Sequence, residues 1–431
     1  MRTHSFDSER AAGLGLAALS ALVAITCAST KPLTPMPAPP PPVATSPAPA
    51  PTPVEPPPVA SSEPAPVLDA EAPKAPEDLL AHFHARLTSA KPVRIAWLGD
   101  SHTYADFWTH AVRSALQERY GNGGPGYLLV GIHPYRSGRA KITVDGKWRH
   151  EPSSPSSGAH QLDGTFGLLG MRAVPVSADA RCTIEPYSTA VEGGARWTLL
   201  FREKGQDRFE ARVGSGEWKT VGPATGSALP GSPIRRLTLK GKAKEPFQVR
   251  AKSGAPELFG VILESEKPGL VLDNLGINGA RASTVLAWEE QAWEAELRAR
   301  EPALVVLAYG TNEAASTLTA ARYQAHEKAL LERVKKAAPN ADCLMIGPTD
   351  MATPEGGSRP RVAELDAALE STARESGCAF MSAYRAMGGE GGFAKWAKES
   401  PPLGSPDRIH LTPKGYEALA EKTVERLLPK D

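Results

Sequence analysis

Ser101 lies in "IAWLGDSHTYADFW" (95–108), where an apolar run makes a tight Gly-Asp-Ser-His turn and enters a helical pattern. A serine there can cap the helix. It can also be a nucleophile, since the N–H groups and dipole at a helix start favour developing negative charge. Serine chemistry needs a base, a group that orients the base, and donors for an oxyanion. "SPDRIHLTPKGYEALA" places Asp407 three residues before His410, within reach of the imidazole, just ahead of the last helical pattern. Gly279 in "LGINGARAS" lets the backbone approach a bound group and donate an N–H. Asn312 in "VLAYGTNEA" offers a side-chain amide. Each position taken alone has a plainer reading: a helix cap, a surface histidine, a turn glycine, a loop asparagine.

The elements that must carry these residues have two characters. Residues 93–130 and about 262–431 alternate apolar runs ("VRIAWLG", "GLVLDNLG", "ALVVLAYG", "DCLMIG", "CAFMSAY") with helical periods at 105–120, 281–300, 319–338, 359–376 and 412–428. A short amphipathic helix is expected in "PEDLLAHFHARLTSA" from Pro76. Strands alternating with helices predict an α/β fold: a flavodoxin-like parallel sheet of about five strands, with its site at the carboxyl ends of the strands. Between them, residues 140–261 hold short alternating stretches such as "KITVDG" and "ARWTLLFRE" between Gly/Pro/Ser turns. They predict an inserted all-β sandwich or jelly roll. Trp148, Trp197 and Trp218 lie in this insert, where they serve either as core or as sugar-stacking faces. The α/β domain is therefore expected over 77–139 plus 262–431.

The amino terminus reads as an export signal, residues 1–27. Arg2 and Arg10 flank a polar start, an apolar run follows at 11–25, and Cys27 comes directly after it. Cleavage before Cys27 with lipid attachment is the expectation; simple cleavage or an uncleaved anchor are the alternatives. Residues 28–76 are a proline-rich linker too poor in large apolar residues to form a core. In extended polyproline form, at about 3.1 Å per residue, such a tether reaches on the order of 100 Å. An exported body, lipid-anchored in the cell envelope (periplasm or outer membrane), is the expected location.

The formal net charge of +1 leaves no basic stripe, so nucleic acid is not expected as a partner. No Cys-x-x-Cys pair suggests zinc. Cys343 and Cys378 both enter strand-like runs; they either pair in an oxidising compartment or remain buried thiols.

The blocks Gly99-Asp100-Ser101, Gly279 in "GINGA", Gly310-Thr311-Asn312-Glu313 and Asp407-x-x-His410 resemble, in order, those of the SGNH (GDSL-type) hydrolase superfamily. The resemblance covers roughly 77–139 and 262–431. It implies Ser101 as nucleophile, His410 as base and Asp407 as its orienter. The Ser101 amide, the Gly279 amide and the Asn312 side chain would form the oxyanion hole, and neither cofactor nor metal is implied. The insert, with "GDSH" and "GNGGPGY" (121–127), is more similar to the peptidoglycan O-acetylesterase branch, in which a carbohydrate-module-like domain interrupts the hydrolase. Two positions depart from the pattern: His102 stands where Leu is frequent, and Glu313 where Asp is usual. His102 is expected to point away from the Ser101 hydroxyl, and Asp100 to be structural. Tyr104, Asp106 and Trp108 are expected to share one helical face.

The expected activity is removal of O-acetyl groups from cell-wall or other polysaccharide, with acetylated peptidoglycan as the partner substrate. The rivals are an O-acetyltransferase with the same residues and a non-catalytic wall-binding lipoprotein. A metal-dependent phosphoesterase is weaker, since "GTNE" lacks the histidine of its Asn-His-Glu block and no terminal Gly-His-x-His follows.

Overall fold

The computed structural model describes residues 78–132, 135–151, 162–202, 204–222 and 225–429. The signal, Cys27 and the linker lie outside them.

Five apolar runs form a parallel sheet: β1 (Val93–Gly99), β2 (Leu270–Gly276), β3 (Leu304–Ala308), β4 (Asp342–Gly347) and β5 (Ala379–Ser382), in the order β2-β1-β3-β4-β5. Alternate residues of each strand face opposite sides. Ala96, Leu98, Val305, Leu307 and Met345 enter one core with the helices Glu290–Arg300, Ala320–Ala337 and Pro360–Glu375. Ile95, Trp97, Leu304, Val306, Leu344 and Ile346 enter the other with Ala81–Leu87, Trp108–Tyr120 and Pro413–Leu427. Burial on both faces explains why the strands read as continuous apolar runs rather than alternating ones.

Two expected helices differ in the structure. The helix expected over 105–120 runs Trp108–Tyr120, preceded by a separate short helix Ser101–Tyr104, and the two are divided at Asp106, which adopts φ 49°. The buried Asp106 carboxylate accepts from Thr109 Oγ1 (2.7 Å), Arg113 Nη2 (3.2 Å), Asn274 Nδ2 (3.2 Å) and the Gly138 N–H (2.7 Å). Those four donors compensate the left-handed backbone. Tyr104, Asp106 and Trp108 consequently do not share a face: Tyr104 packs on Tyr135, and Trp108 Nε1 donates to Thr423. The 281–300 pattern becomes Ala282–Leu286 and Glu290–Arg300, because Glu289 starts a new helix by accepting the N–H groups of Gln291 and Ala292.

The inserted β domain comprises two antiparallel sheets. One orders Ser227–Ala228, Arg235–Lys242, Gly194–Arg202, Glu257–Ser265, Arg172–Pro175 and Trp148–Glu151, with Gly126–Leu128 also paired to Glu257–Ser265. The other orders Ala140–Asp145, Arg181–Pro186, Phe247–Ser253, Arg208–Val213 and Lys219–Val221. Cys182, Ile184, Leu199, Phe201, Phe209 and Val249 fill the space between them.

Trp197 belongs to that filling, fully buried and stacked on Phe247, so it presents no face to a sugar. Trp148 is half-buried against both cores, and the half-buried Trp218 carries the Arg212 and Arg250 guanidinium groups over its ring. Arg300 ties the insert to the parallel sheet, pairing with Asp273 of β2 (2.9 Å) and Glu264 of the insert (3.0 Å).

Cys343 and Cys378 form a disulfide linking the amino-terminal ends of β4 and β5, with a Cα–Cα distance of 5.0 Å. Cys182 is a buried free thiol whose pKa burial pushes up to about 12.

Candidate active site

In the sheet β1 is flanked by β2 and β3, and the register pairs Gly99 with Gly276 on one side and Ala308 on the other. The loops after these three strands therefore converge. Ser101, Gly279 and Asn312 follow the ends of β1, β2 and β3. A side chain at Gly276 would collide with the Tyr104 N–H at 2.3 Å, so its absence lets the short Ser101–Tyr104 helix sit directly on β2.

The helix cap is Asp100, not Ser101: its carboxylate accepts the His102 N–H at 2.9 Å. Ser101 is the first helical residue, and its own N–H has no partner within the helix. Burial pushes the Asp100 pKa up to about 6, against hydrogen bonds from His102 and Thr311.

Ser101 Oγ lies 2.8 Å from His410 Nε2, and His410 Nδ1 lies 2.7 Å from Asp407 Oδ2. Asp407 Oδ1 also accepts the N–H groups of Ile409 (3.0 Å) and His410 (2.9 Å). Burial works against the Asp407 charge, but these hydrogen bonds outweigh it and hold the carboxyl below its ordinary value. An ionised carboxylate only accepts, so Nδ1 carries the proton and Nε2 is left to accept from the serine hydroxyl.

The turn itself is strained, with Arg408 at φ 64°. It is pinned from both sides: Ala352 N–H donates to Arg408 O (3.0 Å), and Ser405 N–H to His410 O (2.9 Å). The site is open, with the His410 side chain 38% and the Asp407 side chain 49% exposed.

Gly279 adopts φ +74°, and nothing lies within 4 Å of where a Cβ would stand. Asn312 Nδ2 donates to Ala280 O at 2.9 Å. Behind it Glu313 accepts the Gly310 N–H (3.1 Å), and burial, with the nearby Asp100 charge, pushes its pKa up to about 7.

His102 is turned away from Ser101: Tyr416 Oη lies 2.9 Å from its Nδ1 and Thr349 Oγ1 3.2 Å from its Nε2. Its ring centroid is 5.1 Å from that of His410. Burial, then the His410 charge, pushes its pKa down to about 3, so it stays neutral. Tyr416, Thr349 and Arg281 (whose Nη2 donates to Asn312 O at 3.1 Å) are neighbours that no sequence pattern singled out. Among the described residues no group of three or more His, Cys, Asp or Glu is arranged to hold a metal ion.

Residues 243–418 match the model of the GDSL-like lipase/acylhydrolase family. That segment is similar to the GDSL-type (SGNH) hydrolases, the family that the sequence blocks resemble. The matched segment holds Gly279, Asn312, Asp407 and His410; Ser101 precedes it, on the far side of most of the insert.

A solved structure titled as a peptidoglycan O-acetylesterase in action resembles this chain with a TM-score of 0.65 at 21% identity, over 81% of this chain and 94% of its own. That likeness shows the shared fold, insert included. An acetyl xylan esterase matches at 17% identity over 38% of this chain and 83% of its own (TM-score 0.30). A family two carbohydrate esterase from Clostridium thermocellum in complex with cellohexaose matches at 12% over 67% and 98% (TM-score 0.28). No curated protein matches this chain in sequence.

Proposed function

We propose that this chain is a serine esterase that removes O-acetyl groups from a cell-envelope polysaccharide, with O-acetylated peptidoglycan as the substrate. The observation that carries this reading is the hydrogen-bonded series Ser101–His410–Asp407, open to solvent at the carboxyl end of β1. His410 Nε2 takes the hydroxyl proton as Ser101 Oγ attacks the acetyl carbonyl, and Asp407 stabilises the resulting imidazolium. The Ser101 and Gly279 amides and the Asn312 side chain hold the oxyanion. His410 returns its proton to the departing sugar oxygen. Water, activated by the same imidazole, then releases acetate from the acyl-enzyme.

The exposed His410 and Asp407 suit a polymer lying across the surface rather than an acyl chain threaded into a tunnel. The Cys343–Cys378 disulfide supports an oxidising compartment, in keeping with the export signal and the Cys27 anchor we assign to residues 1–27. The resemblance in fold to a peptidoglycan O-acetylesterase, insert included, supports the substrate class.

The test is acetate release from O-acetylated peptidoglycan, with acetylated xylan alongside and the full chain as enzyme. Release from peptidoglycan at several times the xylan rate is expected. A preference for xylan overturns the substrate class. Acetyl transfer to an added sugar hydroxyl in place of acetate release overturns hydrolysis in favour of a transferase.

A further inference from the structure

The order β2-β1-β3 leaves no ladder hydrogen bonds between β2 and β3, because β1 lies between them. Gly279 and Asn312, the donors we assign to the oxyanion, therefore sit on loops whose strands do not pair. Two hydrogen bonds cross the gap above β1. Asn312 Nδ2 donates to Ala280 O at 2.9 Å, and Arg281 Nη2 donates back to Asn312 O at 3.1 Å. A carboxamide has two N–H donors, so the bond to Ala280 fixes the plane of Asn312 and leaves its second N–H free.

Arg281 is itself anchored. It precedes the helix Ala282–Leu286, and its backbone N–H donates to Thr284 Oγ1 at 3.0 Å. Among the described residues no carboxylate lies within ion-pair distance of its guanidinium, and its Nε is buried without a partner. Glu313 feels the Arg281 charge from beyond ion-pair distance, and the hydrogen bond to Asn312 O is the direct contact that places this side chain.

We infer that Arg281 is a positioning residue that locks the second and third loops together and so aims the Asn312 amide at the oxyanion. The inference rests on the esterase reading and deepens it. The cost of a misaimed donor falls on kcat, because an oxyanion donor acts on charge that appears only in the transition state.

The test is a double-substitution cycle in the full chain, read as kcat and KM for p-nitrophenyl acetate. Asn312→Ala is expected to lower kcat by about 100-fold or more, the usual cost of one oxyanion donor. Arg281→Met is expected to lower kcat by about tenfold with KM nearly unchanged, and Arg281→Lys, which keeps a donor and the charge, to recover most of it. On the Asn312→Ala background, Arg281→Met should cost less than about threefold, because it acts through Asn312. A full tenfold cost on that background, or no cost on the native one, overturns the inference.

A readout without turnover keeps the two claims separate. The Asn312 side-chain amide signals in NMR, identified by their loss in Asn312→Asp, should shift in Arg281→Met. Unshifted signals overturn the clamp whatever the activity. Failure of the esterase reading shows differently, as an activity indifferent to Ser101 or as none at all, and leaves the NMR result to decide the clamp.

Discussion

At the scale of single residues the site works by removing freedom from an imidazole. Asp407 accepts hydrogen bonds from the Nδ1–H and from two backbone N–H groups, so His410 is left with one tautomer facing Ser101. Asp407→Asn is expected to lower kcat by about 100- to 10,000-fold with little change in fold, because a carboxamide no longer selects that tautomer. Steady-state kinetics beside a thermal melt separates the two effects. His102 serves differently. Its ring nitrogens face Tyr416 and Thr349 in the interior, so His102→Leu leaves those hydroxyls short of a partner. A stability loss of about 1–3 kcal/mol is expected from denaturant unfolding, with kcat reduced less than tenfold. A large loss of kcat without loss of stability would give His102 a part in the chemistry.

At the scale of elements, the disulfide bridges residues 35 apart and closes the β4–helix–β5 unit. Replacing both cysteines with serine is expected to cost about 3–4 kcal/mol in a chain-entropy treatment, measured by denaturant unfolding as a lower midpoint, with the slope fitted separately because the unfolded chain loses its cross-link. The strands were legible because each apolar run is buried on both faces, as a covered parallel sheet requires, and because helical periods alternate with them; the antiparallel Glu257–Ser265 strand is buried throughout as well. The helix breaks were not, because their causes are remote in the chain. Asp106 bends the backbone to reach Asn274 and Gly138, which no local pattern contains. The candidate site divides the same way. Asp407 and His410 were legible as a pair three residues apart, and Ser101 through its strand-turn-helix setting. The Arg281–Asn312 contact joins loops that only the sheet order brings together. Trp197 stayed open between core and sugar face for a related reason: alternation along its strand shows that one face is buried, not which one, and the structure places it in the core.

At the scale of the whole molecule, buried charges make stability depend on pH from two sides. Arg300, Arg94 and Arg196 hold Glu264 well below its ordinary value although its burial opposes this. A depressed acid stabilises the fold above its unfolded pKa of about 4.3 and loses that contribution as pH falls below it. Burial raises Glu296 and Glu313 to about 7, which has the opposite sign. The folded state then binds more protons between about pH 4.3 and 7, so stability falls as pH rises through that window. The melting temperature should therefore peak on the acid side of neutrality. Glu296→Gln should flatten the decline between about pH 4.3 and 7, and Glu264→Gln the decline below about pH 4.3. Melts across pH check both.

The proposed function, acetyl removal from an envelope polysaccharide at the open site, depends at every scale on Ser101. The most direct test is p-nitrophenyl acetate hydrolysis by the full chain and by its Ser101→Ala variant. The account predicts a loss in kcat/KM of about 1000-fold or more. A loss below about tenfold would contradict it, because losing the nucleophile of such a triad normally costs orders of magnitude.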